Sequence, residues 1–413
     1  VLVARELTPS VTAGIVKENI AGIITETGGT TSHSAILARA LEIPAVLSVE
    51  GVASSLKNGD TVVVDGSEGA VIVNPDDNTV AEYSKKRDAF LAERKELENY
   101  RGRETKSASG EVYELFCNIG KPEDAVKAVD ADGEGVGLFR TEFLFMDRTS
   151  IPTEDEQFEA YKKAALILKG KSLIIRTLDI GGDKDIPYLG LEKEENPFMG
   201  FRAIRYCLKN RELFKSQIKA ILRASAFGDI KIMFPLITTM DELREGKKLV
   251  AECKADLRNM GINFNENIQV GVMVETASAA VIADMLAKEA DFFSIGTNDL
   301  TGYTMACDRG NNDVSYLYSP LQPSVLRMIK RTIECGVQNG ISVGMCGEAA
   351  ANKLMIPLLI SFGLTEFSVS APSVLNVRKI ISTWTKEEAD KVTAKVLEMS
   401  TQQEIVEYLK SVV

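Results

Sequence analysis

Short apolar segments alternate with helical patterns from about Tyr113 to the end of this 413-residue chain, and this alternation constrains the fold more than any other feature. The eight segments are YELFCNI (113–119), GVGLF (135–139), SLIIRTL (172–178), IKIMF (230–234), QVGVMVE (269–275), DFFSIG (291–296), ISVGMC (341–346) and EFSVS (366–370). Buried strands joined by helices in this number predict an α/β fold of the (β/α)8 barrel type. A doubly wound open sheet is the alternative, but no GxGxxG motif follows a first strand to favour it.

The segment before the barrel has a different composition and predicts two further parts. Residues 1–78 carry the short strand patterns IAGIIT, PAVLSV, DTVVVDG and VIVNP, with the helix pattern SHSAILARAL between the first two. Residues 79–108 are the predicted linker. From Val80 to about Arg103 charges of both signs alternate with sparse apolar residues, which predicts a long solvated helix. We therefore expect a small α/β domain, a helical linker, and a barrel domain over 109–413.

Charge and cysteine content exclude several classes of protein. The net charge of -11 argues against nucleic acid as a partner, which usually requires a basic face. No apolar run reaches the length of about 18 residues that a membrane span needs. The six cysteines are scattered without a CxxC pair, which favours reduced thiols and a cytoplasmic location.

In a barrel of this type the active site lies at the carboxyl ends of the strands. Four arginines fall at or after the predicted strands: Arg140, Arg176, Arg202 and Arg309. Guanidinium groups bind carboxylates and phosphates in a planar, bidentate way, so this set suits a substrate that carries both. For any one of them, a surface position or a structural ion pair is the alternative.

Three further strand-end residues suggest chemistry. Glu275 ends the fifth strand, and Asp299 follows the sixth; two carboxylates from neighbouring strands suit Mg²⁺. A helix cap or a salt bridge is the alternative for both. Cys346 ends the seventh strand and is either a buried apolar thiol or a group that delivers a proton at the rim.

His33 is the one histidine of the chain. It follows GGTTS and opens the helix pattern SAILARAL, with Thr31 or Ser32 as the N-cap. The positive end of the helix dipole favours the neutral imidazole, which is the form that attacks a phosphoryl group. The backbone N–H groups at the same helix start would then face the added phosphate. A histidine that merely occupies a helix cap is the alternative.

Several long motifs together carry a resemblance to a known family. GGTTSHSAILARALEIPAV resembles the phosphohistidine signature of enzymes that use phosphoenolpyruvate. GLFRTEFLFMDR, RTLDIGGDK, ENPFMGFRAIR and FFSIGTNDLTGYTMACDRGN resemble enzyme I of the bacterial sugar phosphotransferase system, the phosphoenolpyruvate–protein phosphotransferases. The resemblance runs through nearly the whole chain, with the motifs in the family's order.

The resemblance implies a mechanism and a set of partners. Phosphoenolpyruvate would bind at the rim with Mg²⁺ on Glu275 and Asp299. The four arginines and Asn298 would hold its phosphate and carboxylate. His33, on a swivelling domain, would take the phosphoryl group, and Cys346 would protonate the enolate that leaves as pyruvate. The family passes the phosphate on to the carrier protein HPr and works as a homodimer joined through the barrel domains.

The sequence also departs from the family. Thr30 stands where the family often has arginine, and Gly302 where a glutamine is expected. The family's N-terminal HPr-docking part precedes the position of Val1, so we expect the first domain to be incomplete and transfer to HPr to be in question. The alternatives are a fragment of a pyruvate phosphate dikinase or phosphoenolpyruvate synthase, whose barrel motifs differ, and a non-catalytic paralogue, which should lack rim residues.

Overall fold

The chain is described by a computed structural model over residues 1–7, 19–28, 38, 43–146, 148–181 and 186–413, without the side chain of residue 312. These residues form two compact units, Val1–Glu96 and Leu97–Val413. The boundaries predicted above, at 78 and 108, stay predictions. No helix within the described ranges is long and apolar enough to cross a bilayer.

The first unit contains a small parallel sheet and a hairpin. Strands β1 (Leu2–Ala4), β2 (Ile23–Thr25) and β3 (Ala45–Val46) pair in that order, and all their pairings are parallel. Strands β4 (Val62–Asp65) and β5 (Ala70–Val73) form an antiparallel hairpin. The strands predicted in IAGIIT, PAVLSV, DTVVVDG and VIVNP are confirmed, and β1 was not predicted.

Two helices of this unit lie in its described part. They are α1 (Val52–Ser55) and α2 (Asp77–Leu97). Helix α2 has no buried residue, and it covers most of the segment in which alternating charges predict a solvated helix. A short 3₁₀ turn, Glu98–Tyr100, follows it, so the helix ends earlier than the predicted residue 103.

The second unit is a closed barrel of eight parallel strands. They are β6 (Glu114–Ile119), β7 (Gly135–Arg140), β8 (Leu173–Arg176), β9 (Ile230–Phe234), β10 (Val270–Val274), β11 (Phe292–Ile295), β12 (Ser342–Met345) and β13 (Glu366–Val369). Each strand pairs with the next along the chain, and β13 pairs with β6 to close the sheet. The predicted (β/α)8 barrel is confirmed, strand by strand.

Helices surround the barrel. They are α3 (Asp124–Asp130), α4 (Glu154–Leu168), α5 (Ala203–Lys209), α6 (Arg211–Ala224), α7 (Met240–Asn259), α8 (Ala277–Val281), α9 (Ala283–Leu286), α10 (Thr297–Met305), α11 (Pro323–Gln338), α12 (Ile356–Phe362), α13 (Val374–Thr383), α14 (Lys386–Glu398) and α15 (Gln402–Val412). Reciprocal capping boxes begin four of them, as Thr153 and Glu156 do for α4. The pattern ASAAVIADMLAKEA predicts one helix, but the chain breaks it into α8 and α9 at Ile282. The adjacent β-branched residues Val281 and Ile282 lower the helix propensity there.

Five strands, and Cys346 directly after a sixth, contribute apolar side chains to a second cluster inside the barrel, separate from the core between strands and helices. Its members are Leu138, Ile174, Met233, Met273, Phe292 and Cys346. The ring of Phe292 fills the space in which a Cβ of residue 271 would lie, so Gly271 is required there. The barrel is therefore packed through its centre, and the substrate site must lie at its rim.

Arg378 on α13 forms hydrogen bonds to the segment that precedes β6. Its side chain is 1% exposed and donates to Thr105 Oγ1 at 2.9 Å, to the Tyr100 carbonyl at 3.1 Å and to the Asp132 carbonyl at 2.8 Å. It also pairs with the carboxylate of Asp132. Buried acceptors would lose their donor if this guanidinium were removed.

We expect Arg378→Met to lower the free energy of unfolding by about 3–5 kcal/mol, the usual effect of breaking a buried ion pair. Urea titration followed by circular dichroism measures it. The matched control is Arg258→Met, which removes an ion pair to Glu266 from an exposed surface and should cost under about 1 kcal/mol. Equal losses in the two variants would contradict the role assigned to Arg378.

Candidate active site

Two arginines are joined through one carboxylate at the carboxyl end of the barrel. Arg176 is the last residue of β8, and its Nη1 lies 2.9 Å from Asp179 Oδ2. Arg202 immediately precedes α5, and its Nη2 lies 2.7 Å from Asp179 Oδ1. Asp179 therefore holds two cations that come from separate segments of the chain. It lies three residues beyond β8, whereas the sequence predicts a strand that continues to Leu178.

Arg176 is buried, and one of its N–H donors has no partner among the described residues. Its Nη2 donates to Glu142 Oε1 at 2.8 Å and its Nη1 approaches Met273 Sδ at 3.6 Å. Burial lowers the pKa of this guanidinium, but the charges of Glu142, Asp179 and Glu275 outweigh burial and raise it. The buried Nε has no hydrogen-bond partner among the residues the structure describes. A permanent cation with an unmet donor is suited to an anionic ligand.

Glu275 follows β10 and is 2% exposed. Its Oε1 accepts the Leu236 backbone N–H at 2.6 Å. Leu236 adopts φ 54°, a left-handed conformation that is costly for a leucine. The strained backbone holds this carboxylate in one orientation.

Asp299 lies in the first turn of α10, and its Oδ2 is 3.5 Å from Arg202 Nη2. Burial raises the pKa of Glu275 to about 8, with Asp299 and Asp179 adding to the rise. Burial also raises the pKa of Asp299, although Arg202 opposes the change. The two carboxylates thus form an acidic site that a cation would stabilise.

The remaining predicted anion-binding residues lie in more open positions. Arg140 ends β7 with an exposed side chain, whose guanidinium lies 5.1 Å from the ring centre of Phe143. Arg309 is exposed in the segment after α10. The Asn298 carbonyl accepts from Tyr318 Oη at 2.9 Å. Asp179 joins Arg176 to Arg202, Arg202 also approaches Asp299, and the charges of these groups act on Glu275. Arg140 and Arg309 lie outside these ion pairs, and Arg309 contacts Tyr318.

Cys346 follows β12 and is 7% exposed. Its Sγ lies 3.8 Å from the Ile295 carbonyl, and its own carbonyl accepts from Asn118 Nδ2 at 3.0 Å. Burial raises the pKa of the thiol to about 12, and a contact with Ser294 only partly offsets this. The group is therefore a protonated thiol at neutral pH. All six cysteines are free.

His33 and the helix predicted to start there lie outside the described residues, apart from Ala38. The acceptor role of His33 stays a prediction from sequence.

Sequence reasoning missed several residues that orient the site. Glu142 pairs with Arg176, and Gln217 on α6 accepts the Leu178 N–H at 2.9 Å, which fixes the chain after β8. Tyr303 receives a hydrogen bond from Arg202 Nη1 at 3.4 Å. Glu142 stands two residues after a predicted strand-end arginine, which is a signal that could have found it. Gln217 sits within an ordinary amphipathic helix and gives no such signal.

The chain matches two protein families. Residues 94–385 match the PEP-binding domain of PEP-utilising enzymes, and residues 1–69 match the mobile domain of PEP-utilising enzymes. Among the solved structures it resembles, the citrate lyase beta subunit from M. tuberculosis, described as complexed with oxaloacetate and magnesium, is 14% identical over 68% of this chain and 99% of that one. The TM-score is 0.37, too low to bear on chemistry.

Curated relatives match over a longer span. A phosphoenolpyruvate-protein phosphotransferase of Bacillus subtilis (strain 168) is 51% identical over 410 residues, which is 99% of this chain and 72% of that protein. One from Staphylococcus carnosus (strain TM300) is 48% identical over 410 residues, again 99% of this chain and 72% of that protein.

Proposed function

This chain belongs to the phosphoenolpyruvate–protein phosphotransferase family, and from that premise we propose how its residues carry out the reaction. The activity is phosphoenolpyruvate-dependent phosphotransfer of the sugar phosphotransferase system. The level of identity over nearly the whole chain favours it over a dikinase or synthase fragment. The observation that carries the residue assignments is the pair Arg176 and Arg202, held by one carboxylate beside two further acidic groups.

Phosphoenolpyruvate has two anionic groups, and the arginines lie in two settings. Arg176 and Arg202 are buried and fixed, which suits the phosphoryl group, on which charge shifts during transfer. Arg140 and Arg309 are exposed, which suits capture of the incoming anion from solvent. Asn298 would add a neutral donor beside Asp299. This division keeps the phosphorus in a constant position while the acceptor approaches.

Mg²⁺ fits the acidic pair. No three His, Cys, Asp or Glu side chains of the described part of the chain gather into a metal site by themselves. Proteins usually bind Mg²⁺ through one or two carboxylates, and oxygens of the substrate and of water supply the other ligands. The raised pKa values of Glu275 and Asp299 indicate repulsion and burial that a divalent cation offsets. When bound there, the metal would draw charge from the phosphoryl oxygens.

His33 is the proposed acceptor. The bond from the phosphorus to the enol oxygen breaks as the imidazole nitrogen attacks from the opposite side, and the enolate of pyruvate remains at the rim. Cys346 then gives its Sγ proton to the methylene carbon of the enolate. Its buried, protonated thiol is the correct form for a general acid.

We propose HPr as the onward acceptor, a cytoplasmic location and a homodimer joined through the barrel unit. Free cysteines in a protein of this size support a reducing compartment. Helices α8 and α9 pack beside α11, and each carries an exposed apolar side chain: Val281, Met285 and Val337 are 52%, 51% and 53% exposed. Apolar side chains that are exposed together support a subunit interface.

A rapid-quench single turnover tests the function. Enzyme in excess over labelled phosphoenolpyruvate and Mg²⁺ should yield pyruvate and phosphoprotein in equal amounts. Removal of Mg²⁺ with a chelator should prevent both. Pyruvate released without any phosphoprotein would mean that water, and not the protein, accepts the phosphoryl group.

Cys346→Ala should form pyruvate about 10²–10³-fold more slowly, the usual contribution of a general acid. Phosphoprotein should still form to within a few-fold, because the arginines and carboxylates that act in phosphoryl transfer are intact. Cys335→Ala, which removes a buried thiol of α11, is the matched control and should behave as the unmodified chain. Unchanged pyruvate formation in Cys346→Ala would remove this thiol from the proton transfer.

A further inference from the structure

A second set of polar groups lies inside the barrel, beneath Cys346. Ser294 on β11 pairs in register with Gly344 on β12, and Gly344 pairs with Glu366 on β13. Ser294 lies two residues after Phe292, a member of the interior cluster, on the same strand. Its side chain therefore also points inward. Gly344 has no side chain, and the carboxyl group of Glu366 lies over it.

Glu366 carries a buried carboxyl group inside the barrel. It is 5% exposed, and its Oε1 has no hydrogen-bond partner among the described residues. This oxygen would collide with a Cβ at residue 137, and it lies 2.8 Å from the point where a Cβ of residue 344 would stand. Two glycines on different strands therefore make room for it. An unpaired buried carboxyl group is costly and calls for an explanation beyond packing.

Ser294 is the second unpaired group. Its hydroxyl oxygen is buried and has no ordinary hydrogen-bond partner in the described part of the chain. It faces the Cys346 thiol closely enough to lower the pKa of that group, against the larger rise from burial. Glu366, when ionised, also raises the pKa of Cys346. Both Ser294 and Glu366 thus act on the Cys346 thiol.

Solvent reaches the end of the barrel at which Glu366 lies. Glu114, which pairs in register with Glu366, is exposed, and Lys231 is half-buried. Burial raises the pKa of Glu366 to about 8; Glu114 adds to the rise and Lys231 opposes it. Glu366 therefore holds a proton at neutral pH and can exchange it with solvent at the exposed Glu114.

We propose that Glu366, acting through Ser294, returns a proton to Cys346 after each turnover. The inference rests on the proposed role of Cys346 as proton donor. Donation to the enolate breaks the Sγ–H bond and forms a C–H bond of pyruvate. The Ser294 hydroxyl then protonates the thiolate, and Glu366, whose carboxyl group lies over Gly344, reprotonates Ser294. Solvent at the Glu114 end of the barrel reprotonates Glu366. One solvent proton is consumed for each enolate.

The test is exchange of the pyruvate methyl protons with D₂O, followed by proton NMR with enzyme and Mg²⁺ present. The unmodified chain should catalyse exchange, and Cys346→Ala should not. Glu366→Gln keeps the volume and a neutral group, but it has no acidic proton. It should exchange about tenfold or more slowly, because the abstracted proton returns to the same carbon before it reaches solvent. Its single-turnover pyruvate formation should stay within about threefold, because the thiol begins protonated.

Two further variants sharpen the result. Ser294→Ala should show the same slow exchange, whereas Thr393→Val, which removes a buried unpaired hydroxyl from α14, should exchange normally. Exchange by Glu366→Gln at the unmodified rate would overturn the relay. An equal fall in exchange and in single-turnover rate would overturn it too, since that pattern indicates a structural role. Absence of exchange by the unmodified chain would refute the role of Cys346 itself, and the relay with it.

Discussion

His33→Ala is expected to give no detectable phosphoprotein with labelled phosphoenolpyruvate and Mg²⁺. The chain has one histidine, so this substitution removes the sole imidazole that could form a phosphoramidate. The phosphoenolpyruvate affinity of the variant should stay within about twofold, because the proposed anion-binding arginines lie in the barrel unit. Equilibrium dialysis measures this affinity and serves as the control. Labelling of the variant at the unmodified level would show that another residue accepts the phosphoryl group.

Glu275→Gln is expected to slow phosphoryl transfer by about 10³-fold, since losing a metal ligand removes several kcal/mol of transition-state stabilisation. The amide oxygen can still accept the Leu236 N–H, so the geometry is retained while the negative charge is lost. The rate is measured by rapid quench at several Mg²⁺ concentrations.

The matched control is Glu266→Gln, which removes a carboxylate from an exposed pair with Arg258 and should leave the rate unchanged. A loss below tenfold in Glu275→Gln, with the same dependence on Mg²⁺, would argue that this carboxylate does not bind the metal.

The barrel could be predicted because buried parallel strands are continuous apolar runs. The strand predicted in IKIMF has the predicted bounds. Each of the other seven strands begins and ends within two residues of its predicted bounds. The charged residues at the strand ends stand out against these runs. The positions of Arg140, Arg176 and Glu275 at the rim could therefore be predicted from the sequence alone.

The pairing of the rim residues could not be predicted. Asp179 pairs with the nearby Arg176 and also with Arg202, which lies 23 residues further along the chain, and the intervening sequence has no periodicity that fixes this approach. Leu236 and Ala203 both adopt left-handed conformations, and Ala203 follows Arg202. The sequence does not predict these conformations, because neither residue type favours them. Long-range packing imposes these conformations at the site.

Glu366 illustrates the same limit inside the barrel. In EFSVS it stands first, where a carboxylate at a strand end normally faces water. Barrel closure brings Gly137 and Gly344 around it and buries it. The sequence contains all three residues, but only the closed order of the strands, with β12 beside β13 and β7 one strand beyond β6, makes them neighbours.

The most direct measurement is to locate the phosphate on the chain itself. The protein is phosphorylated with phosphoenolpyruvate and Mg²⁺, digested at neutral to basic pH, and its peptides are sequenced by tandem mass spectrometry. The account predicts one phosphate, labile to acid and stable to base, on His33. An acid-stable phosphate on a serine or threonine, such as one in the GGTTS segment before His33, would contradict it.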